Sequence, residues 1–296
     1  MRRKIVKQGM GGCTVFLPIK WVRDQGLQAG DQVDVTEMEE GVLISAEAKK
    51  KGEEVVLDLK SESESYVRIN LNAVYRLGYD KVVVHFEKKK TEAIVKRVVD
   101  ERLLGFEVVD KREGKLVIEN VTEPSADKFE MLHRRTMHIV AESFGLVAEA
   151  LKNGGDCLSE MKRLTKEHGK YNNFLRRSIS KKRIKERRIA YYWELFGKTL
   201  LIQHSLLHLV ESGLTKKSAE VFIDVYEQYS ALEKGYFSKK IDALEKVNIE
   251  CGKLLSEIKE KLLKSKGKET LFLYHCGELT RLIYLTSVSG LAIVIS

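Results

Sequence analysis

The sequence predicts a multidomain α+β protein with a strand-rich front and an entirely helical second half. Three observations support this prediction. At 296 residues, the chain exceeds the usual size of one domain. Short β-rich runs separated by turn residues fill its first 47 positions, and no strand pattern follows Pro124. We expect four domains, at residues 1–48, 53–122, 125–213 and 214–296.

The front segment, residues 1–47, reads as four short strands and one short helix. Its β-rich runs are Ile5, Thr14 to Leu17, Val33 to Thr36 and Val42 to Ala46. Pro18 precedes a helical stretch, Ile19 to Gln25, at a position where its missing amide costs nothing. Turns are expected at Gly26, Gly30-Asp31 and Glu40-Gly41. Because so few residues bury too little apolar surface to be stable alone, we expect two copies to close a shared barrel.

Six basic residues and no acid fall within the first 23 positions: Arg2, Arg3, Lys4, Lys7, Lys20 and Arg23. In a dimer they would form a doubled basic face. We predict that they contact DNA phosphates, which gives position and affinity rather than sequence choice. The alternative is a solvated charged face without a partner.

The middle segment alternates strands and helices after a charged linker, Lys49 to Glu54. The expected order is strand Val55 to Leu59, helix Leu71 to Leu77 closed by Gly78, strand Lys81 to Phe86, helix Thr91 to Arg102, and a hairpin of Phe106 to Asp110 with Leu116 to Val121. This order predicts a small α+β domain in which two helices cover one sheet. It contains no nucleotide-binding loop or acid pair, and we assign it no function.

The second half divides into six helical stretches, at about 126–152, 156–177, 182–213, 216–232, 236–264 and 269–295. The third and sixth stretches resemble each other at an offset of 84 residues. Glu194-Leu195 then matches Glu278-Leu279, and Ser205 matches Ser289. This internal repeat predicts two tandem three-helix bundles.

A second basic run spans the end of one helix and the start of the next. It comprises Arg176, Arg177, Lys181, Lys182, Arg183, Lys185, Arg187 and Arg188. Such a run could bind an acidic partner protein, anionic lipid headgroups or DNA phosphates. A solvated helix end without a specific partner is equally open.

The composition of the chain indicates its cellular compartment and the kind of partner that we expect. The net charge of +9 suits an anionic partner. Four widely spaced cysteines without a Cys-x-x-Cys pair indicate a reducing cytoplasm rather than a disulfide scaffold or a zinc ribbon. We expect no signal peptide, and we interpret Leu279 to Ile295 as a buried helix rather than a membrane insertion.

Sequence motifs typical of enzymes are incomplete throughout the chain. The loop Gly9 to Cys13 lacks the Gly-Lys-Ser/Thr ending of a phosphate-binding loop, and Cys13 has no identifiable base. His204 and His208 lie one helical turn apart, without a third ligand in view. The sequence therefore predicts a non-enzyme.

Four short motifs of the front segment carry a resemblance to a known family. They are Lys7-Gln8-Gly9, Cys13-Thr14-Val15-Phe16-Leu17-Pro18, Gly30-Asp31-Gln32-Val33 and Glu40-Gly41-Val42-Leu43-Ile44. Together they resemble the swapped-hairpin DNA-binding domain of the AbrB/MazE/SpoVT family. The resemblance implies a dimeric swapped-hairpin β-barrel whose basic strand and loop contact DNA, with Lys7 and Arg23 as the most direct matches.

The tandem bundles, with Glu-Leu near the start of each third helix, resemble the PhoU family of phosphate-uptake regulators. Together with the front domain, the architecture resembles archaeal PhoU-like regulators. The resemblance implies a regulator of phosphate transport whose partner is a phosphate-transporter ATPase or a sensor kinase.

The PhoU resemblance also raises the question of a metal cluster. In that family, an acid followed four positions later by an aspartate ligates iron or zinc. Here Glu194 and Glu278 keep the first position, but Lys198 and Leu282 replace the aspartates. The second helix offers Asn172-Asn173 in place of acids. Because such cations need several converging donors, we expect no metal and no cofactor.

Three functional hypotheses follow. The first is a homodimeric, DNA-binding transcriptional regulator of phosphate homeostasis whose bundles relay phosphate status to a protein partner. The second is a regulator that does not bind DNA, dimerises through its barrel and docks on a phosphate ABC transporter or a sensor kinase. The third is a metal-dependent protein, which would carry bound iron or zinc.

Overall fold

The computed structural model describes residues 3–9, 11–38, 41–46, 53–122, 127–181 and 188–296. The fold is mixed α+β with a helical C-terminal part, as the sequence predicts. Contacts divide the chain into two units, Met1–Glu53 and Glu54–Ser296. We call them the front unit and the main unit, and each is described by itself.

The described residues of the front unit form two antiparallel hairpins and a short helix. Its elements are β1 (Ile5–Gln8), β2 (Gly12–Val15), α1 (Ile19–Asp24), β3 (Val33–Met38) and β4 (Gly41–Ala46). Strand β1 pairs with β2, and β3 pairs with β4, so the four strands of one chain form two separate two-stranded sheets. Of the predicted Glu40-Gly41 turn, Glu40 lies outside the described residues.

The front unit has no buried core among its described residues. None of its described side chains is buried. Its half-buried apolar side chains are Leu17, Trp21, Val22, Leu27, Val33 and Ile44. By contrast, Ile5 is 73% exposed, Phe16 72% and Val35 62%. Hairpins without an apolar face packed on a partner are marginal in water, so this unit needs further contacts to be stable.

The main unit begins with a four-stranded sheet covered by two helices. Its elements are β5 (Glu54–Leu59), α2 (Glu64–Leu77), β6 (Lys81–Phe86), α3 (Lys89–Arg102), β7 (Phe106–Arg112) and β8 (Lys115–Asn120). The strand order is β5-β6-β8-β7, with β5 parallel to β6 and the other pairs antiparallel. Apolar residues of both helices and the sheet form one cluster, which includes Leu71, Val95 and Ile118.

Helix α2 is longer than the sequence predicts. It begins at Glu64 rather than Leu71. Val67 and Leu71 are both fully buried, one turn apart, so the helix gains packing on the sheet from its first turns. Its end at Gly78 agrees with the prediction, because that residue has the left-handed φ of 101° that terminates helices.

Six helices complete the described part of the main unit: α4 (Asp127–Asn153), α5 (Leu158–Ser180), α6 (Ile189–Ser212), α7 (Ala219–Phe237), α8 (Ile241–Lys264) and α9 (Lys268–Ile295). The sequence predicts the break between α7 and α8 at residues 233–235, but it lies at 238–240. Gly235 lies within α7, and its missing side chain lets that helix approach Ala243 of α8, whose Cβ is 3.1 Å from where a Cβ on residue 235 would stand.

The two three-helix groups share a single apolar core. Phe144 of α4 packs against Phe222 and Tyr229 of α7. The Tyr229 hydroxyl donates a hydrogen bond of 2.8 Å to the Met137 carbonyl oxygen. One cluster of buried residues runs from Phe129 to Ile293. The groups α4–α6 and α7–α9 are therefore joined through their interiors.

Helix α9 combines great length with an apolar composition. Among the described helices, it alone has the length and mean hydropathy of a membrane span. Half of its most apolar stretch is buried inside the molecule, and it packs against α6, α7 and α8. Its packing is that of a core helix of the bundle.

Candidate functional site

The predicted DNA-contacting residues lie on the front unit, and all the described ones are exposed. They are Arg3, Lys4, Lys7, Lys20 and Arg23, whereas Arg2 lies outside the described residues. None of these five forms an ion pair with an acid in the described part of the chain. Their charges are therefore available to an external anion.

Helix α1 places its two cations together. Lys20 and Arg23 are three residues apart, so they lie on the same side of this six-residue helix. Trp21 and Val22 are half-buried and anchor the helix on the unit. The local sequence thus produces a small helix with one basic side and one packed side.

The first hairpin presents Lys7 on a partly apolar face. Lys7 lies opposite Cys13, and Ile5 lies opposite Val15. Because side chains alternate along a strand, these four residues share one face. The face carries one charge beside exposed aliphatic groups. Lys7 therefore lies beside exposed aliphatic side chains on the same face of the hairpin.

The second basic run differs from the exposed cations of the front unit, because its member Arg177 is buried. Its side chain is 2% exposed and lies at the contact between α5 and the middle segment. Its Nη1 donates to the carbonyl oxygens of Tyr75 and Tyr79, at 3.1 and 2.7 Å. Its Nη2 donates to Asp80 Oδ1 at 2.5 Å. This burial corrects the prediction of a partner-binding role at Arg177, because the guanidinium is enclosed within the main unit.

The other described members of this run also make internal contacts. Lys181 Nζ bonds the same Asp80 carboxylate. Arg176 lies over the Trp193 ring, with its guanidinium carbon 4.8 Å from the ring centroid. Arg188 is half-buried at the start of α6. Lys182, Arg183, Lys185 and Arg187 lie outside the described residues.

Sequence reasoning missed that α5 would bind the middle segment through its polar residues. Asn173, in the middle of α5, is 1% exposed and hydrogen-bonds to Arg76, to Asn72 and to the Arg102 backbone. The signal that could have revealed this contact was the pair Asn172-Asn173 inside a helix, since buried asparagine requires specific partners.

The two glutamates at the PhoU-like positions form reciprocal hydrogen bonds between α6 and α9. Glu194 Oε2 accepts a bond of 2.9 Å from Ser289, and Glu278 Oε2 accepts one of 2.7 Å from Ser205. The two bonds are related by the 84-residue offset, as expected for the contact between two repeat copies. Lys198 Nζ also donates to Glu194 at 2.8 Å and holds the pKa of that carboxyl below its usual range.

These glutamates do not fit an iron or zinc cluster. Each carboxylate is engaged by a serine of the opposite helix, and a lysine ammonium stands beside Glu194. Among the residues that the structure describes, no group of three or more histidine, cysteine, aspartate or glutamate side chains converges. The donor set that such metals require is not assembled at these positions.

The histidine pair of α6 is split between two environments. His204 is half-buried, and burial lowers its pKa, as do the nearby His208, Arg102 and Arg68. His208 is exposed, with Nδ1 3.3 Å from Glu211. Among the described residues, the two rings belong to no group of three or more histidine, cysteine, aspartate or glutamate side chains that could hold a metal ion.

His133 is a buried histidine in an aromatic cage. It is 1% exposed, and neither ring nitrogen has a hydrogen-bond partner in the described part of the protein. The rings around it belong to Phe129, Tyr192, Phe196, Tyr236 and Phe237. Burial lowers its pKa to about 3, and the charge of Arg134 acts in the same direction.

We expect His133→Phe to make the protein more resistant to acid. The unfolded chain takes up a proton at this histidine near its ordinary pKa of 6.5, whereas the folded protein does so only near 3. Stability that is present above pH 6.5 is therefore lost as the pH falls toward 3. Phenylalanine removes this loss, so the acid unfolding midpoint, followed by circular dichroism, should move to lower pH. An unchanged or higher midpoint would contradict the burial of a neutral ring.

No protein family, curated protein or solved structure matches the chain.

Proposed function

We propose that this protein is a homodimeric, DNA-binding regulator, with the front unit as its DNA-binding part. The proposal rests on the exposure of the apolar and basic side chains of the front unit. Among its described residues, two hairpins and a helix have no buried side chain, and their exposed cations pair with no acid. A second copy would cover the exposed apolar residues. The same pairing would place two sets of cations on one particle.

The pattern of exposure supports a swapped-hairpin barrel as the form of this dimer. Ile5 lies on the first hairpin, Phe16 directly follows it, and Val35 and Val42 lie on the second, all at more than half exposure. Burying such side chains stabilises an assembly by about 1.5–3 kcal/mol each. Two hairpins per chain give the four-plus-four strands that could close a barrel without free edges.

The charge distribution supports DNA as the ligand of this dimer. Two copies would bring together twice the exposed cations Arg3, Lys4, Lys7, Lys20 and Arg23. Neutralisation of phosphates by lysine and arginine releases counterions, and this release supplies a large share of the free energy of DNA binding. A doubled set of exposed cations is therefore suited to a duplex.

We further propose that the helical part relays phosphate status to a protein partner in the cytoplasm, such as a phosphate-transporter ATPase or a sensor kinase. The reciprocal glutamate–serine bonds between α6 and α9 support a duplicated three-helix unit of the PhoU type. Because the glutamates do not fit a metal cluster, the proposed relay does not depend on one.

The second hypothesis shares the same supporting observation. Exposed apolar residues on the front unit also fit a barrel that only dimerises the chain, while the bundles dock on a phosphate transporter or a sensor kinase. The two hypotheses differ in one property, the binding of DNA. A gel-shift assay of the full-length protein, with the DNA upstream of its own gene, separates them.

We expect the DNA complex to weaken steeply with salt. Each phosphate that the dimer neutralises contributes about −0.9 to the slope of log affinity against log salt concentration. Fluorescence anisotropy at a series of salt concentrations measures this slope, which should correspond to several phosphates per dimer. A complex whose affinity does not change with salt, or the absence of a complex at low salt, would favour the second hypothesis.

A further inference from the structure

Four arginines lie where α2 and the end of α3 pack on α5 and α6, as two neighbouring pairs, Arg68 with Arg102 and Arg76 with Arg176. We call Arg68, Arg76, Arg102 and Arg176 the arginine cluster. All four are half-buried. They belong to three different helices, so their proximity is a property of the tertiary fold.

Asn173 of α5 hydrogen-bonds to two arginines of the cluster. Its Oδ1 accepts a hydrogen bond of 2.8 Å from Arg76 Nε, and its Nδ2 donates to the Arg102 carbonyl oxygen at 3.1 Å. The same Nδ2 donates to Asn72 Oδ1 at 2.9 Å. Asn173 is almost fully buried, so these bonds fix the relative position of the three helices.

Two glycines make room for the guanidinium groups. A Cβ on Gly169 of α5 would stand 2.5 Å from Arg102 Nη1, and a Cβ on Gly197 of α6 would stand 2.7 Å from Arg176 Nη2. Glycine in a helix interior is less favourable than alanine. At both positions the missing side chain lets a guanidinium lie directly on the helix backbone.

No guanidinium of the cluster forms an ion pair with an acid in the described part of the chain, although Glu101 and Glu64 lie close enough to Arg102 to act on its pKa. The acids close to it are engaged elsewhere: Glu64 bonds Arg97 at 2.6 Å, and Glu101 bonds Lys166 at 3.1 Å. Arg176 Nε is buried without a hydrogen-bond partner among the described residues. At least one guanidinium of the cluster therefore keeps an unused donor.

The electrostatic environment of the cluster is consistent with this lack of ion pairs. Burial lowers the pKa of Arg176 to about 10, with Arg76 adding to the effect. Burial, followed by the charge of Arg68, lowers the pKa of Arg102, while the charges of Glu101 and Glu64 act in the opposite direction. Half-buried like charges without an anion are unfavourable, and a bound anion would relieve them.

We propose that the arginine cluster is a binding site for a phosphate group, either as the free ion or as part of a small phosphorylated molecule. Guanidinium groups present paired N–H donors that match the oxygens of a phosphate. Arg102 and Arg176 carry donors that no carboxylate of the described chain occupies. The site belongs to the main unit alone, so it does not rest on DNA binding by the front unit.

Isothermal titration of the full-length protein tests this site with two probes, inorganic phosphate and ADP. Binding of phosphate would identify the free ion as sufficient, and binding of ADP alone would identify a phosphorylated molecule. The double variant Arg102→Gln/Arg176→Gln should bind the active probe at least about tenfold more weakly, since it loses charge-assisted hydrogen bonds. Arg163→Gln is the matched control, because Arg163 is an exposed α5 arginine paired with Glu160. Its affinity should equal that of the original protein.

If the cluster had only a structural role, the glutamine and alanine variants would bind each probe as the original protein does. Gly169→Ala and Gly197→Ala leave every arginine in the chain, but their methyl groups push the guanidinium groups aside. We expect each variant to remain folded by circular dichroism and to bind the active probe more weakly than the original protein. The inference is overturned if neither probe binds at millimolar concentration. It is equally overturned if the glutamine and alanine variants all retain the original affinity.

Discussion

Replacement of Arg177 by methionine should lower the free energy of unfolding by about 3–5 kcal/mol, because it removes the buried donor that satisfies two backbone carbonyl oxygens and the half-buried Asp80 carboxylate. The guanidinium is enclosed between the Tyr75 and Phe106 rings, with its central carbon 5.1 and 4.8 Å from their centroids. Methionine fills part of this space but leaves the Tyr75 and Tyr79 carbonyl oxygens and the Asp80 carboxylate without this donor. Urea unfolding followed by circular dichroism measures the loss.

Arg163→Met is the matched control for this substitution. Arg163 lies on the same helix, is 56% exposed and pairs with Glu160 and Glu167 on the surface. Exposed ion pairs of this kind contribute about 0–1 kcal/mol, so the control should unfold close to the original midpoint. If both variants lost the same small amount, the internal role assigned to Arg177 would be wrong.

Reversal of two charges on the front unit should reduce DNA affinity by roughly a hundredfold at moderate salt, because each dimer would exchange four attractive charges for four repulsive ones. The variant is Lys7→Glu/Arg23→Glu. Both side chains are exposed and form no ion pair with an acid in the described part of the chain, so the fold should be preserved. Fluorescence anisotropy with a labelled duplex measures the change.

A control variant with the same charge change separates local contact from overall charge. Lys246→Glu/Lys259→Glu alters two exposed lysines of α8 in the main unit. Since these positions lie outside the proposed interface, DNA affinity should change little. Equal losses in the two variants would mean that the net charge, rather than the front unit, governs binding.

Much of the fold follows from local patterns in the sequence. The six helices of the second half repeat apolar residues at helical spacing, and glycines mark several of their ends, so these helices were predictable. The sheet-and-helix segment was predictable because short β-rich runs bounded by turn residues alternate with helical patterns there. The start of α2 was not, because residues 64–70 contain a single fully buried apolar side chain, Val67. Packing on the sheet, rather than local pattern, extends that helix.

Some functional residues were likewise predictable from the local sequence, whereas others depend on tertiary packing. The cations of the front unit are visible as a run without acids, and the structure leaves the described ones exposed. The burial of Arg177 could not be read from sequence, since its partner Asp80 lies 97 positions away. The arginine cluster was not predictable for the same reason, because Arg102 meets Gly169 of α5, and Arg176 meets Gly197 of α6, only through tertiary packing.

Sedimentation equilibrium of the full-length protein, combined with amide exchange, tests most directly whether the front unit acquires its core from a second copy. We predict a particle of twice the 33.9 kDa chain mass, with slow amide exchange in β1 to β4. A monomer of 33.9 kDa in which the amides of these strands are equally protected would contradict a core shared between two chains.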